Sequence, residues 1–268
     1  MFLNSVSIKA NDEDRWPWTI PALKGVDRID IDCPVTFFVG ENGSGKSTLL
    51  ESLAIAYKMP SIGRADAHMD DSLTDLREYA ANFKFSRSGS VPVSKFFLRS
   101  EDFFSFLRRI RMQQQDMNAE LERIDIEYEG RSDFARLQAR TAFLSSLSEL
   151  KRSYGEDLLH EASHGESFLR LFERRIVPKG LYFLDEPETP LSPVRQMALL
   201  KMISDSAKEG SQFIIATHSP ILTALPEACI MSFDTSPMSR TSYEELESVQ
   251  LLMDFARAPQ RFIRHLLD

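Results

Sequence analysis

Cysteine is scarce in this chain of 268 residues: there are two, Cys33 and Cys229, far apart and without a Cys-x-x-Cys spacing. That pattern excludes a disulfide framework or a zinc centre as the organising principle. Two small, buried thiols in a reducing cytoplasm are expected instead. Long hydrophobic runs are missing as well. No apolar stretch approaches the ~18 residues of a membrane span, and Met1 to Asn4 open no signal peptide, so neither membrane insertion nor secretion is expected. Positive charge is in the minority, with 32 Lys and Arg against 40 Asp and Glu and a net charge of −8. This disfavours a nucleic-acid binder that uses its whole surface and leaves a local basic face open. Internal repeats and low-complexity linkers are absent. What remains, 43% hydrophobic and 27% charged residues, is ordinary for a globular protein, with chain enough for one large domain or two modest ones.

What is present is a nine-residue stretch, Gly40-Glu41-Asn42-Gly43-Ser44-Gly45-Lys46-Ser47-Thr48. It fits the phosphate-loop pattern G-x-x-x-x-G-K-[ST]. A chance match at average composition occurs in roughly one chain in a hundred of this size. The context makes chance a poorer explanation still. Val35 to Val39, just before, form an apolar β-prone run; Leu49 to Tyr57, just after, carry apolar groups at helical spacing. Strand, glycine-rich turn and helix are the order phosphate binding needs. The glycines let backbone N–H groups curl around phosphates, and the helix N-terminus adds partial positive charge. Lys46 is expected on the β- and γ-phosphates and Ser47 on Mg²⁺.

Along the chain, residues 1–39 read as a β-rich opening. Val6 and Ile8 alternate with polar neighbours, as do Ile29 and Ile31. Further strands are expected near Asn82 to Phe85 and Val93 to Leu98. Residues 103–160 are rich in Gln, Glu, Arg, Leu and Ala, with one break at Gly130 and no sustained heptads. They predict a helical subdomain inserted into a single domain spanning 1–268. An α/β rhythm returns at Gly180, with strands at Leu181 to Leu184, Phe213 to Ala216 and Ala228 to Phe233, and a helix from Val194 to Ser204. Glu244 to Leu267 predict an amphipathic helical tail. The fold class is α/β: a mixed, largely parallel sheet flanked by helices.

Four more motifs carry chemistry. Leu181-Tyr182-Phe183-Leu184-Asp185-Glu186 is a strand ending in two acids. Phosphate-loop chemistry needs one carboxylate on Mg²⁺ and one to orient or deprotonate water, roles that suit Asp185 and Glu186. Ser163-His164-Gly165-Glu166 reads as a helix-capping box, with Ser163 as N-cap and Glu166 reaching back. Its helix places Phe168, Phe172 and Ile176 on one face, and its start offers N–H groups to a phosphate. Pro187 to Ser192 follow the acids directly. His218, in Ala216-Thr217-His218-Ser219-Pro220, stands at the end of the next buried strand, where a γ-phosphate contact belongs.

In this order GENGSGKST, SHGES, LYFLDEP and ATHSP resemble the Walker A, signature, Walker B and switch-histidine motifs of an ABC-type ATPase. More narrowly the chain resembles short, stand-alone bacterial ATPases with an SHGESF signature, a likeness that includes FFLRSEDFF and the tail from Ala258. The resemblance implies an ABC-type P-loop fold, ATP with Mg²⁺, and a homodimer in which Ser163, Gly165 and Glu166 cap the partner's ATP. It also implies an adenine-stacking aromatic ahead of the phosphate loop. Trp16 and Trp18 lie there, although either suits the edge of a core equally. Three positions depart from the broader pattern: His164 replaces a glycine, Ser192 stands where aspartate is common, and Glu101 falls where a glutamine is usual. Glu101 is therefore expected as a Mg²⁺ or water contact.

Three functional readings follow. The first is an ATP-gated dimer in DNA maintenance or defence against foreign DNA, with Arg99, Arg108, Arg109 and Arg111 as a basic edge. The second is the nucleotide-binding subunit of a membrane transporter. The third is an ATP-dependent switch for a partner protein.

Overall fold

The computed structural model describes residues 1–9, 14–62, 74–154 and 164–267. Two sheets carry the architecture. Strands β1 (Leu3–Ile8), β2 (Arg28–Asp30) and β5 (Phe83–Arg87) form an antiparallel sheet in the order β2-β1-β5. The larger sheet has seven strands. They are β3 (Val35–Val39), β4 (Ser61–Ile62), β6 (Lys95–Arg99), β7 (Leu181–Asp185), β8 (Gln212–Ala216), β9 (Cys229–Ser232) and β10 (Ser239–Thr241), in the order β10-β9-β3-β8-β7-β6-β4. Its pairings are parallel except at the β9–β10 edge.

The central strands read as unbroken apolar runs because both of their faces are covered. Phe37, Tyr182, Leu184, Phe213 and Ile215 point to one side, into a core shared with Phe103, Phe106, Phe168 and Phe172. Phe38, Leu181, Phe183, Ile214 and Ala216 point to the other, against Leu49, Leu50, Leu53 and the small sheet's Leu3 and Val6. Helix α1 (Lys46–Ala56) lies on the second side, next to α2 (Thr74–Ala80). On the first side lie the start of α3 (Ser100–Glu127), α5 (His164–Arg175) and α6 (Pro193–Lys208). The sheet is anchored at its far end by Gln212, whose buried amide accepts from the N–H groups of Phe2 and Leu3 and donates to Leu3 O.

The helical stretch of the sequence becomes α3, 28 residues long, and α4 (Asp133–Tyr154), packed as a hairpin. Gly130, at φ 82°, makes the turn between them. The tail divides at Pro259 into α7 (Glu247–Arg257) and α8 (Pro259–Leu267), because proline cannot continue the preceding helix's hydrogen bonds.

The expectation of two separate thiols is corrected. Cys33 and Cys229 form a disulfide, with Cα atoms 5.9 Å apart. Strand β9 lies directly beside β3, with Cys229 opposite Thr36, so Cys33, two residues ahead of β3, meets the first residue of β9. The pairing is a product of sheet order, which sequence spacing does not reveal. Arg240 packs over the bridge and pairs with Asp32.

Candidate functional site

The C-terminal ends of the parallel strands form one row. Arg99 is in register with Asp185, Asp185 with Ala216, and Ala216 with Phe38. Neighbouring strands lie about 4.8 Å apart, so the loops leaving β6, β7, β8 and β3 converge within reach of one ligand. This is the physical link between motifs that stand more than a hundred residues apart in sequence.

From β3 the chain turns through Gly40 to Gly45 into α1. Gly45 precedes the helix at φ 104°, and a Cβ there would sit 2.6 Å from the Ile20 side chain. Both conformation and space therefore require glycine. Lys46 is buried and folds back to donate to Gly40 O at 2.8 Å and Glu41 O at 2.7 Å. Burial lowers its pKa, opposed by Glu186, Asp234 and Asp185 nearby. Glu41, Asn42 and Gly43 are exposed at the tip, while Ser44 Oγ is buried without a protein partner. Thr48 lies within α1, and its carbonyl accepts from Ser52.

Ser47 Oγ donates to Asp185 Oδ1 at 2.8 Å. Burial raises the Asp185 carboxyl to about 6, against the opposing pull of Ser47 and Arg99. A hydroxyl and a buried carboxylate aimed at one point are a pair of hard oxygen donors and fit Mg²⁺.

Glu186 has φ 49°, a left-handed conformation that is costly for a side chain with Cβ. Three contacts hold it there. Its N–H donates to Ala216 O, and its carbonyl accepts from Thr189 N–H and from Ser100 Oγ. The carboxylate thus stands 3.6 Å from His218 Nε2. His218 is held by its own backbone N–H, which donates to Glu188 Oε1 at 2.7 Å. Burial, then the nearby Lys46 charge, lowers its pKa against the pull of Glu186 and Asp234, which favours the neutral ring. Its Nε2 is buried without a hydrogen bond from the protein.

Lys46, Ser47, Asp185, Glu186 and His218 therefore converge. Glu101 is linked to this group through Arg99, which also faces Asp185. It is exposed at the first turn of α3 and pairs with Arg99 at 3.1 Å. Gly165 and Glu166 stand in the first turn of α5, where Glu166 pairs with Arg170. A Cβ on Gly165 would lie 2.6 Å from Pro190 O and 3.0 Å from the Arg195 guanidinium, so α5 starts against the loop that follows the acids. Ser163 lies outside the described residues.

One reading is corrected. Arg99 does not belong to a basic edge with Arg108, Arg109 and Arg111. It ends β6, is largely buried, and faces Asp185 at 3.5 Å and Glu51 at 3.7 Å. Sequence reading also missed Ser100, Glu188 and Asp234. Asp234 follows β9 and accepts the Glu41 N–H at 2.8 Å, pinning the phosphate loop from the neighbouring strand. A polar residue just past a buried strand was the available signal for each of them.

Among known proteins, residues 22–157, just over half of the chain, match a family model described as "AAA domain". Residues 140–224 match a second AAA-domain model, whose description also names the AbiEii toxin and a Type IV TA system. The macrolide export ATP-binding/permease protein MacB of Marinobacter nauticus is 25% identical over 243 residues, 87% of this chain. The chain spans only 33% of that relative's length. The Smc head domain of Pyrococcus furiosus, solved with the C-terminal domain of ScpA, gives a TM-score of 0.46 at 12% identity, covering 95% of this chain and 99% of its own. An ATP-binding cassette of an ABC transporter, in its ADP conformation, gives 0.46 at 17% identity, covering 94% and 99%.

Proposed function

The chain belongs to the AAA-domain family of P-loop ATPases, and from that premise we propose that it hydrolyses ATP with Mg²⁺ as an ATP-gated homodimer. The observation that carries this is the convergence of Lys46, the Ser47–Asp185 pair, Glu186 and His218 at the ends of adjacent strands. Ser47 and Asp185 would hold Mg²⁺, which when bound neutralises phosphate charge. Lys46 exchanges its two loop carbonyls for phosphate oxygens. Ser44 Oγ and His218 Nε2, both buried without protein partners, suit the same oxygens. Glu186 orients the attacking water and accepts its proton. His218, neutral, holds the γ-phosphate side and the Glu186 carboxylate in register. Ser163 and Gly165 would cap the partner copy's nucleotide, and the ATP-rich cytoplasm is the setting for this chemistry.

For the process driven, we favour a clamp acting on DNA. Arg108 and Arg109 are exposed, and Arg111 half-buried, on one stretch of α3. A transporter subunit is the second reading. It draws on the permease-linked relative and on a shallow cleft of about 250 Å³ where Phe104, Leu107 and Met112 meet Arg108 and Arg111.

The deciding experiment is steady-state ATP hydrolysis. Lys46→Ala should abolish it, and Glu186→Gln should bind ATP yet turn over at least ~10²-fold more slowly. Normal turnover by Glu186→Gln would remove that residue from the chemistry. DNA binding whose affinity falls steeply with salt, and less steeply in Arg108→Ala/Arg109→Ala/Arg111→Ala protein, separates the clamp from the transporter subunit.

A further inference from the structure

At the opposite end of α1 from the phosphate loop lies a second concave site. It is a cavity of about 490 Å³ between Tyr57, Arg87, Lys95 and the loop carrying Val91, Pro92 and Val93. Tyr57 follows the last residue of α1, and Lys95 opens β6, whose other end carries Arg99. The 11-residue helix places this cavity about 16 Å from the phosphate loop.

Its charge is unbalanced. The Arg87 guanidinium lies 4.6 Å from the centre of the Tyr57 ring and the Lys95 ammonium 5.1 Å from the same ring. Lys95 also donates to the carbonyls of Tyr57 and Lys58, at 3.3 and 3.0 Å, capping the negative end of α1. Arg87 has no such task. It rests on Tyr57 and, at 5.8 Å, on Phe85, and is exposed to solvent at the end of β5. Among the described residues neither cation pairs with a carboxylate, in a chain where acids outnumber bases 40 to 32. Burial and the Arg87 charge together lower the Lys95 pKa, the mark of two cations held close without a counter-ion. The lip is apolar: Val91 and Val93 are 84% and 72% exposed.

We propose that this cavity is a second ligand site, which takes a small organic anion whose carboxylate or phosphate meets Arg87 and Lys95 and whose apolar part covers Val91 and Val93. A planar fork on an aromatic floor suits bidentate recognition of either anion, and an exposed and a half-buried cation beside exposed valines suit a small amphiphilic molecule. A nucleic-acid backbone would call for a row of cations without an apolar lip.

Calorimetric titration with phenyl phosphate, benzoate and neutral benzyl alcohol tests this. At least one anion should bind wild-type and Lys46→Ala protein equally, and benzyl alcohol should not. Arg87→Gln, an exposed change that spares the fold, should weaken binding about tenfold or more, as loss of a charge-assisted pair does. Val93→Asp should supply the missing carboxylate, raise the melting temperature and block the ligand. Whichever anion binds in this Arg87-dependent way identifies the class. Binding that survives Arg87→Gln but is lost in Lys46→Ala would assign it to the phosphate loop and overturn the proposal. So would an absence of binding at about 10 mM, weaker than any specific site.

Discussion

Glu188 Oε1 accepts the backbone N–H of His218 at 2.7 Å, while its second oxygen, Oε2, is buried without a partner. The carboxylate ties the loop after β7 to the loop after β8, the two loops that supply Glu186 and His218. Burial raises its pKa, opposed first by the hydrogen bond from the His218 backbone. Glu188 is therefore a positioning residue. Glu188→Ala should lower kcat by up to about 10²-fold, as misplaced catalytic groups do, with little change in KM for ATP. Glu188→Gln keeps an acceptor for His218 N–H and should recover most of the rate. Equal loss in both variants would mean that the negative charge matters rather than the strap.

The contrast between Glu186 and Glu188 shows how far the sequence could be read. The place of Glu186 beside His218 was legible because it directly follows a buried strand ending in an aspartate, downstream of a phosphate loop. The strands themselves were legible for the same reason: burial on both faces leaves runs such as Phe213 to Ala216. Glu188 was visible only as part of a motif, because its role depends on a hydrogen bond to a residue 30 positions away. Arg99 was misread because a cation in sequence looks the same whether it faces solvent or a buried aspartate. Strand order decides such cases, and strand order also hid the Cys33–Cys229 pair.

Asp185 gives a pH-dependent prediction. Its carboxyl rises from 3.8 to about 6 through burial. Between those values the native protein holds a proton that the unfolded chain releases. The group's stabilising contribution is therefore present at low pH and is lost as pH rises through about 6. Without nucleotide, Asp185→Asn should stabilise the protein at pH 8 by about 3 kcal/mol and make little difference near pH 4. Denaturant melts at both pH values check this. Equal shifts at the two pH values would refute the assignment. The same variant should lose Mg²⁺-dependent hydrolysis, since the amide is a poor replacement for a carboxylate on a hard cation.

The Cys33–Cys229 bridge closes a loop of 196 residues. In the chain-entropy account such a loop restricts the unfolded state by about 5 kcal/mol, an upper figure before strain and residual structure are counted. A reductant should lower the melting temperature of the wild-type protein and leave a Cys33→Ser/Cys229→Ser variant unchanged. Intact mass after thiol labelling reports the bond directly. Two labelled thiols in protein purified without reductant would count against the bridge.

The geometry around Gly165 bears on assembly. Helix α5 starts against Pro190 and Arg195, so its first turn sits beside the start of α6. There Val194 and Met197 are 75% and 57% exposed, two apolar side chains next to the loop that leaves Asp185 and Glu186. A second copy related by a two-fold axis would cover these side chains and bring each α5 N-terminus to the other's γ-phosphate, where a helix end favours an anion. Light scattering on Glu186→Gln protein should then give a monomer without nucleotide and a dimer with ATP and Mg²⁺. Ser163→Arg should block the shift by filling the phosphate position. Val194→Glu should block it by placing a charge in the apolar contact, and nucleotide binding should persist in both. A monomer in saturating ATP, with Glu186→Gln shown to bind the nucleotide, would mean that a different chain closes the site.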